Sequence, residues 1–222
     1  MPDQDIIGTL SSLGVIPVIA FDAPEAALPL ADALLAGGLP IAEITFRTRA
    51  AADVMRLLGR ERPQLLVGAG TVLSRENLVA AKQAGARFAV APGFHPAIVS
   101  EAAAIGLPFF PGVATPSEIE QTMAMGCTVL KFFPAEALGG VSFIQSVAAP
   151  YAHTGLRFIP TGGVGPANLE HYLALNIVIA VGGTWIARKE DIASGKWDMI
   201  AERCRAARDT VARVKDKQGT PC

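Results

Sequence analysis

The sequence alternates short apolar runs with helix-forming segments eight times, and this alternation constrains the fold more than any other feature. The apolar runs are continuous, as expected for parallel strands that are buried on both faces. Glycines such as Gly85 and Gly126 stand shortly before the next run, where helix C-caps are expected. The predicted strands are 15–20, 41–45, 65–69, 88–91, 107–110, 128–132, 157–160 and 177–181.

Eight strand–helix units over 222 residues give roughly 28 residues per unit, near the compact end for a (β/α)8 TIM barrel. The sequence therefore predicts an α/β fold, a single (β/α)8 barrel domain over residues 1–222 with an extra N-terminal helix over 3–12. A doubly wound open sheet is the rival architecture, but it usually has fewer strands, and no G-x-G-x-x-G follows the first strand. The tail over 216–222 is expected to be frayed.

Composition narrows the class of protein. With 51% hydrophobic and 18% charged residues, the chain should build a sizeable core. Its net charge of −1 gives no support for partners such as nucleic acid or an acidic membrane. No apolar run is long enough to span a membrane, and the acidic residues 1–5 do not resemble a secretory signal. Because Cys127, Cys204 and Cys222 form neither a metal spacing nor an even disulfide set, a reducing, cytoplasmic location is expected.

Lys131 is the most informative single residue, because it stands at the end of the apolar sixth strand. An ammonium group is costly to desolvate, so apolar surroundings favour the neutral amine. A neutral amine can attack a ketone and form a Schiff base. The alternative is an ordinary lysine whose stem lies along apolar surface while its charged end stays in water.

Polar residues at the carboxyl ends of barrel strands face the catalytic mouth. On the second strand Glu43, Thr45 and Arg47 share one side, because side chains alternate along a strand. The carboxylate and the guanidinium could serve as proton carrier and carboxylate clamp, or they could form a structural ion pair. Thr71 follows the third strand and offers a hydroxyl, although this segment could simply be a tight turn. Pro92 follows the fourth strand, where a turn is the first interpretation and a wall of the site the second.

Two glycine pairs, 162–163 and 182–183, follow the seventh and eighth strands. Backbone N–H groups at these positions of a barrel often bind phosphate, aided by a helix N-terminus. Pro166 predicts that a helix begins just after the first pair, and Thr184 adds a hydroxyl donor after the second. The histidines do not lie at ligand spacings, so a metal-dependent enzyme is not expected.

Four motifs then carry a resemblance that runs from Gly14 to Trp185. The chain resembles the family of 2-keto-3-deoxy-6-phosphogluconate aldolases, also called 4-hydroxy-2-oxoglutarate aldolases. The motifs are Glu-Ile-Thr-Phe-Arg-Thr at 43–48, Val-Gly-Ala-Gly-Thr-Val at 67–72, Lys-Phe-Phe-Pro-Ala-Glu at 131–136 and Pro-Thr-Gly-Gly-Val at 160–164. The Phe-Phe-Pro-Ala-Glu run after the lysine favours this branch over the related phosphogalactonate aldolases.

The resemblance implies a class I aldolase of the Entner–Doudoroff pathway, without metal or cofactor, that forms a homotrimer. It implies that the enzyme cleaves the phosphorylated keto-deoxy acid to pyruvate and glyceraldehyde 3-phosphate, and 4-hydroxy-2-oxoglutarate to pyruvate and glyoxylate. The resemblance implies that Lys131 forms the Schiff base and that Glu43 is the general acid/base. It implies that the pyruvyl end is bound by Arg47 and Thr71, that the pocket is lined by Pro92 and Phe133, and that Thr161 lies near the substrate. The implied phosphate-binding residues are Gly162, Gly163, Gly183 and Thr184.

This sequence departs from the usual family pattern at two places. Thr184 stands where a serine is usual, and the run Ala-Pro-Gly-Phe at 91–94 stands where a serine and a leucine are commoner. Two other functions stay open on the sequence. One is a non-catalytic barrel that binds phosphosugars, and the other is an isomerase or epimerase in which Lys131 acts only as a charge partner.

Overall fold

A computed structural model describes residues 2–219 of the chain. Its strands are β1 Val15–Ile19, β2 Ile41–Thr45, β3 Leu66–Gly70, β4 Phe88–Val90, β5 Phe109–Phe110, β6 Gly112–Val113, β7 Val129–Phe132, β8 Arg157–Pro160 and β9 Val181–Gly183. Its helices are α1 Pro2–Leu13, α2 Ala27–Ala36, α3 Ala51–Glu61, α4 Arg75–Gln83, α5 Pro96–Ala104, α6 Pro116–Ala124, α7 Gly140–Ala148, α8 Leu169–Leu173, α9 Lys189–Ala193 and α10 Trp197–Gln218, with 3-10 turns at Pro24–Ala26 and Ala149–Tyr151.

The strands are parallel and form two sheets. One has six strands in the order β5-β4-β3-β2-β1-β9, and the other has three in the order β6-β7-β8. The predicted fifth strand, 107–110, is observed as the shorter β5. Pro111, which has no backbone N–H, separates it from the additional strand β6, so that β5 pairs with β4 while β6 pairs with β7. Isolated bridges join Phe158 to Val178 and Thr161 to Gly182. The α/β class and the parallel strands are confirmed, whereas a closed eight-stranded barrel stays a prediction.

The extra N-terminal helix is confirmed as α1, and its side chains Ile6 and Leu10 are buried in the core. Helix α10 is hydrogen-bonded to the end of α1: the Arg208 guanidinium donates to the carbonyl groups of Ser12 and Leu13 at 2.8 and 2.7 Å. These carbonyl groups end α1 and lack partners within the helix. The first and last helices of the described chain are thereby tied together.

Three local predictions were wrong. The last strand begins at Val181 rather than at residue 177, because it pairs with β1 in a register that sets Val15 opposite Val181. The helix after β8 begins at Leu169, since residues 166–168 form a turn in which the Asn168 side chain accepts a hydrogen bond from the Gly165 N–H. Helix α10 continues through Gln218, so the expected fraying of 216–218 is wrong, and residues 220–222 lie outside the described chain.

The starts of helices α4 and α6 are capped by the side chains of the residues that precede them. Ser74 caps α4 by accepting a hydrogen bond from the Asn77 N–H, as its position predicts. Thr115 and Glu118 form a reciprocal capping box at the start of α6. Among the described helices, none combines the length and the apolar character that crossing a membrane would require.

Candidate active site

Lys131 on β7 and Glu43 on β2 meet inside the molecule, although 88 positions separate them in the sequence. The Lys131 Nζ atom lies 3.3 Å from Glu43 Oε1, and the two side chains are only 6% and 3% exposed. The Phe133 ring lies 5.8 Å from Nζ, centroid to atom. Both charges have left bulk water, which is costly unless they neutralise each other. The contact brings an amine and a carboxylate, the two groups that imine formation and proton transfer require, to one place.

A missing side chain on the neighbouring strand makes room for the Glu43 carboxylate. A Cβ atom on Gly70 would lie 2.2 Å from Glu43 Oε1, closer than any real contact. The register sets Gly68 opposite Glu43 and Gly70 opposite Thr45. The Glu43 carboxylate therefore occupies the space that a side chain at position 70 would fill.

Arg47 is held by a threonine rather than by a carboxylate. Its Nε–H donates to Thr45 Oγ1 at 3.1 Å, and the buried Thr45 hydroxyl donates in turn to the Ile19 carbonyl at 3.1 Å. No ion pair joins Arg47 to Glu43 or to another carboxylate within residues 2–219, so the structural ion pair considered from the sequence does not form. The guanidinium therefore has donors left over for an anionic ligand. Thr45 is the residue that sequence reasoning left without a role.

Thr71 adopts an unusual backbone conformation directly after β3. Its φ angle is +56°, and among the described residues it is the one non-glycine residue with a positive φ. Non-glycine residues rarely adopt this conformation, and where they do it often serves a binding or catalytic site. Pro92 and Phe133, the two predicted wall residues, are half-buried after β4 and β7. The three residues all follow carboxyl ends of strands, as the sequence predicted.

The glycine pair after β8 and the glycine pair at the end of β9 are required by contacts within the protein. Gly162 and Gly163 have φ angles of +97° and +82°, and a Cβ on Gly163 would lie 2.5 Å from Glu136 Cβ. A Cβ on Gly183 would lie 1.6 Å from the Trp185 ring. The sequence could not reveal these contacts. Helix α8 begins at Leu169 and spans five residues, so it does not lend the N-terminus that Pro166 predicted.

Thr161 and Thr184 supply hydroxyl groups beside these glycines. Thr161 is buried, and a Cβ on the bridged Gly182 would lie 2.4 Å from its Oγ1 atom. Lys131 pairs with Ile159, two residues before Thr161, so Lys131 and Thr161 are on the same face of the sheet. The Thr184 side chain is exposed, and no acceptor among residues 2–219 takes the N–H groups of Gly163 or Thr184. These N–H groups are available to an anion.

No group of three or more potential metal ligands occurs within the described chain. Burial disfavours the thiolate form of the two described cysteines, because it raises the pKa of Cys127 and raises that of Cys204 to about 12. A cavity of about 230 Å³ lies beside Pro92 and is lined mainly by apolar side chains, including those of Val72, Leu73 and Phe94. All four residues of the 91–94 run, in which this sequence departs from the usual pattern, line this cavity.

Comparisons with known proteins show which family the chain is similar to. Residues 6–203 match the family model described as "Aldolase: KDPG and KHG aldolase". A 2-dehydro-3-deoxy-phosphogluconate aldolase of Haemophilus influenzae is 47% identical over 94% of this chain and 97% of its own. A Legionella pneumophila KDPG aldolase, solved with pyruvate as a covalent carbinolamine, superposes with a TM-score of 0.86 at 39% identity over 90% of this chain and 97% of its own. A Zymomonas mobilis enzyme of that kind, solved with 3-phosphoglycerate, gives a TM-score of 0.82 at 35% identity over 90% and 94%.

Proposed function

The chain belongs to the KDPG and KHG aldolase family and is a carbon–carbon lyase, and we propose that its substrate is 2-keto-3-deoxy-6-phosphogluconate. The products are pyruvate and glyceraldehyde 3-phosphate, and the same residues cleave 4-hydroxy-2-oxoglutarate to pyruvate and glyoxylate. The observation that carries the proposal is the buried Lys131–Glu43 pair with its separation of 3.3 Å. An amine and a carboxylate this close are what an imine-forming aldolase needs.

The reaction begins when the neutral Lys131 amine attacks the C2 ketone and forms a carbinolamine. Loss of water gives a cationic imine, which accepts the electron pair of the C3–C4 bond as that bond breaks. Glu43, or a water that it holds, takes the proton of the C4 hydroxyl, and glyceraldehyde 3-phosphate leaves. The enamine is then protonated at C3, and water hydrolyses the imine to release pyruvate and free lysine. The cationic imine formed on Lys131 is the electrophilic centre, so the proposal requires no metal or cofactor.

Different residues bind the pyruvyl end and the phosphate end of the substrate. The Arg47 guanidinium and the Thr71 hydroxyl bind the carboxylate of the pyruvyl end, while Pro92 and Phe133 line the pocket and Thr161 lies near the substrate. Support for Arg47 comes from its hydrogen bond to Thr45, which fixes Nε and leaves the terminal nitrogens for a bidentate contact. Support for Thr71 comes from its positive φ.

The phosphate end is bound by backbone N–H groups after β8 and β9, at Gly162, Gly163, Gly183 and Thr184. This proposal is supported by the N–H groups of Gly163 and Thr184, which no described acceptor takes. It is also supported by the exposed Thr184 hydroxyl. Replacing a glycine would not test it, because a new side chain would collide with Glu136 or Trp185.

Replacing Thr184 by valine tests the phosphate site without disturbing the glycines. We expect KM for the phosphorylated substrate to rise about 10-fold, the usual scale for one lost hydrogen bond to a charged group. Cleavage of 4-hydroxy-2-oxoglutarate, which has no phosphate, should change much less. Thr184→Ser keeps the hydroxyl and is the matched control. Equal losses for both substrates would mean that Thr184 supports the fold rather than the phosphate.

Covalent trapping tests the proposed function itself. Incubation with pyruvate and borohydride should add one reduced pyruvyl group per chain, and peptide mapping should place it on Lys131. A non-catalytic phosphosugar-binding barrel, or an isomerase in which Lys131 is only a charge partner, predicts no adduct. Borohydride without pyruvate is the control. An adduct on exposed lysines such as Lys189 at an equal level would contradict the assignment.

We also propose that the two sheets form one closed (β/α)8 barrel of a single domain. The support is that β5 and β6 are joined through Pro111 alone, and that two bridges connect β8 with the segment around β9. A homotrimer is proposed from the family resemblance. Light scattering at micromolar concentration should then give three times the mass of the 23.1 kDa chain.

A further inference from the structure

The chain that follows Lys131 is bonded directly to the glycine turn after β8. The Ala135 N–H donates to the Thr161 carbonyl at 2.8 Å, and the Glu136 N–H donates to the Gly162 carbonyl at 3.0 Å. Glu136 closes the Lys-Phe-Phe-Pro-Ala-Glu motif, yet the proposed reaction gives it no role. The same short segment therefore leads from the proposed nucleophile to the proposed phosphate site.

The Glu136 side chain supports that turn from one side. Its Cβ and Cγ atoms occupy the space beside Gly163, where a glycine Cβ would lie 2.5 and 2.6 Å away. Its carboxylate accepts a hydrogen bond from the hydroxyl of Tyr172 on α8, a side chain that is fully buried. A tyrosine hydroxyl is protonated at neutral pH and can donate, and burial and the neighbouring carboxylate raise the pKa of Tyr172 further. Gly140 at the start of α7 packs closely against the same carboxylate.

The turn needs such support because glycines are conformationally free. Gly162 and Gly163 both adopt positive φ, and in isolation they would populate many other conformations. A binding site made of backbone N–H groups loses affinity when those groups are not held in place before the ligand arrives. The Asn168 amide donates to the Gly163 carbonyl at 3.2 Å and holds the turn from its other side.

We propose that Glu136 and Tyr172 form a positioning pair that holds the Gly162–Gly163 turn in the conformation that binds the substrate phosphate. This inference rests on the proposed phosphate site and adds a source for its selectivity. Neither residue touches the substrate. The pair acts through the Glu136 backbone bond to Gly162 and through its contact with Gly163, and Tyr172 fixes the carboxylate against α7 and α8.

The deciding experiment compares the two tyrosines of the chain. Tyr172→Phe removes the hydroxyl that binds Glu136, and Tyr151→Phe removes the hydroxyl that binds Glu120 at 3.1 Å on the exposed surface. We expect Tyr172→Phe to raise KM for the phosphorylated substrate, and Kd for inorganic phosphate by calorimetry, about 5- to 10-fold, as expected for one lost hydrogen bond to a charged group. The loss of kcat/KM on 4-hydroxy-2-oxoglutarate should be much smaller. Tyr151→Phe should match the wild type in every measurement.

Variants of Glu136 separate positioning from packing. Glu136→Gln keeps an oxygen that can accept from Tyr172 and should stay within about threefold of the wild type in phosphate affinity, whereas Glu136→Ala should lose as much as Tyr172→Phe. Equal losses on both substrates, or an unchanged KM in Tyr172→Phe, would overturn the inference. If the wild type binds no phosphate, the proposed phosphate site fails and the inference fails with it. If Thr184→Val weakens phosphate binding while Tyr172→Phe does not, the inference alone fails.

Discussion

Replacing Lys131 by alanine should reduce cleavage of both substrates to the assay background. The proposed reaction passes through a covalent bond to the Lys131 nitrogen, and no other lysine or histidine contacts Glu43 in the described chain. Pyruvate release, coupled to a dehydrogenase, gives the rate. The variant leaves the Glu43 carboxylate buried without its partner, so a lower melting temperature is also expected, and circular dichroism must show that the protein is folded.

Two further variants make this result interpretable. Lys131→Arg keeps a positive charge beside Glu43 but cannot act as the amine, so it should be nearly as inactive as the alanine variant. Lys189→Ala removes an exposed lysine paired with Asp22 and should leave the rate unchanged. Activity near the wild-type level in a folded Lys131→Ala protein would rule out the Schiff base.

Replacing Glu43 by glutamine should slow exchange of the pyruvate methyl protons at least ~100-fold, the scale for a positioned acid or base. The amide keeps the shape of the carboxylate but cannot carry the proton between the enamine and solvent. The measurement is loss of the methyl signal in deuterated water by proton NMR. Trapping by borohydride should survive in part, because the Lys131 amine is still present.

This partial separation of the two steps identifies the role of Glu43. Glu25→Gln changes an exposed carboxylate and should leave exchange unaffected. Unchanged methyl exchange in Glu43→Gln would remove Glu43 from proton transfer. Loss of trapping and of exchange by the same factor would instead mean that Glu43 is needed only to form the imine.

Most strand positions and the burial of Lys131 and Glu43 could be predicted because burial leaves a strong signal in the sequence. A lysine after the apolar strand residues Val129 and Leu130 and a glutamate on the inward face of β2 are each unusual alone, and the parallel topology predicts that both lie inside the molecule. Their contact distance could not be predicted, since it depends on the space beside Gly70, which only the register of β2 and β3 reveals.

Predictions failed where an apolar pattern indicates that residues are buried but does not indicate which strand they pair with. Residues 177–181 are apolar enough for a strand, yet the ladder with β1 begins at Val181 because Val181 lies opposite Val15. Pro166 suggested a helix start, but the Asn168 side chain stabilises a turn there instead. The contact between Glu136 and Tyr172 spans 36 positions and joins two elements whose packing no local pattern encodes.

The pairing of β1 with β9 has a consequence for how the chain is made. Val15 is synthesised early and Val181 late, and until Val181 leaves the ribosome one edge of β1 exposes unpaired backbone groups. During most of its synthesis the nascent chain therefore has an unpaired edge of β1 that can pair with a strand of another chain. Translation that stops before β9 would release a polypeptide with that edge still open, so prematurely ended chains should aggregate or be degraded rather than accumulate as partly active enzyme.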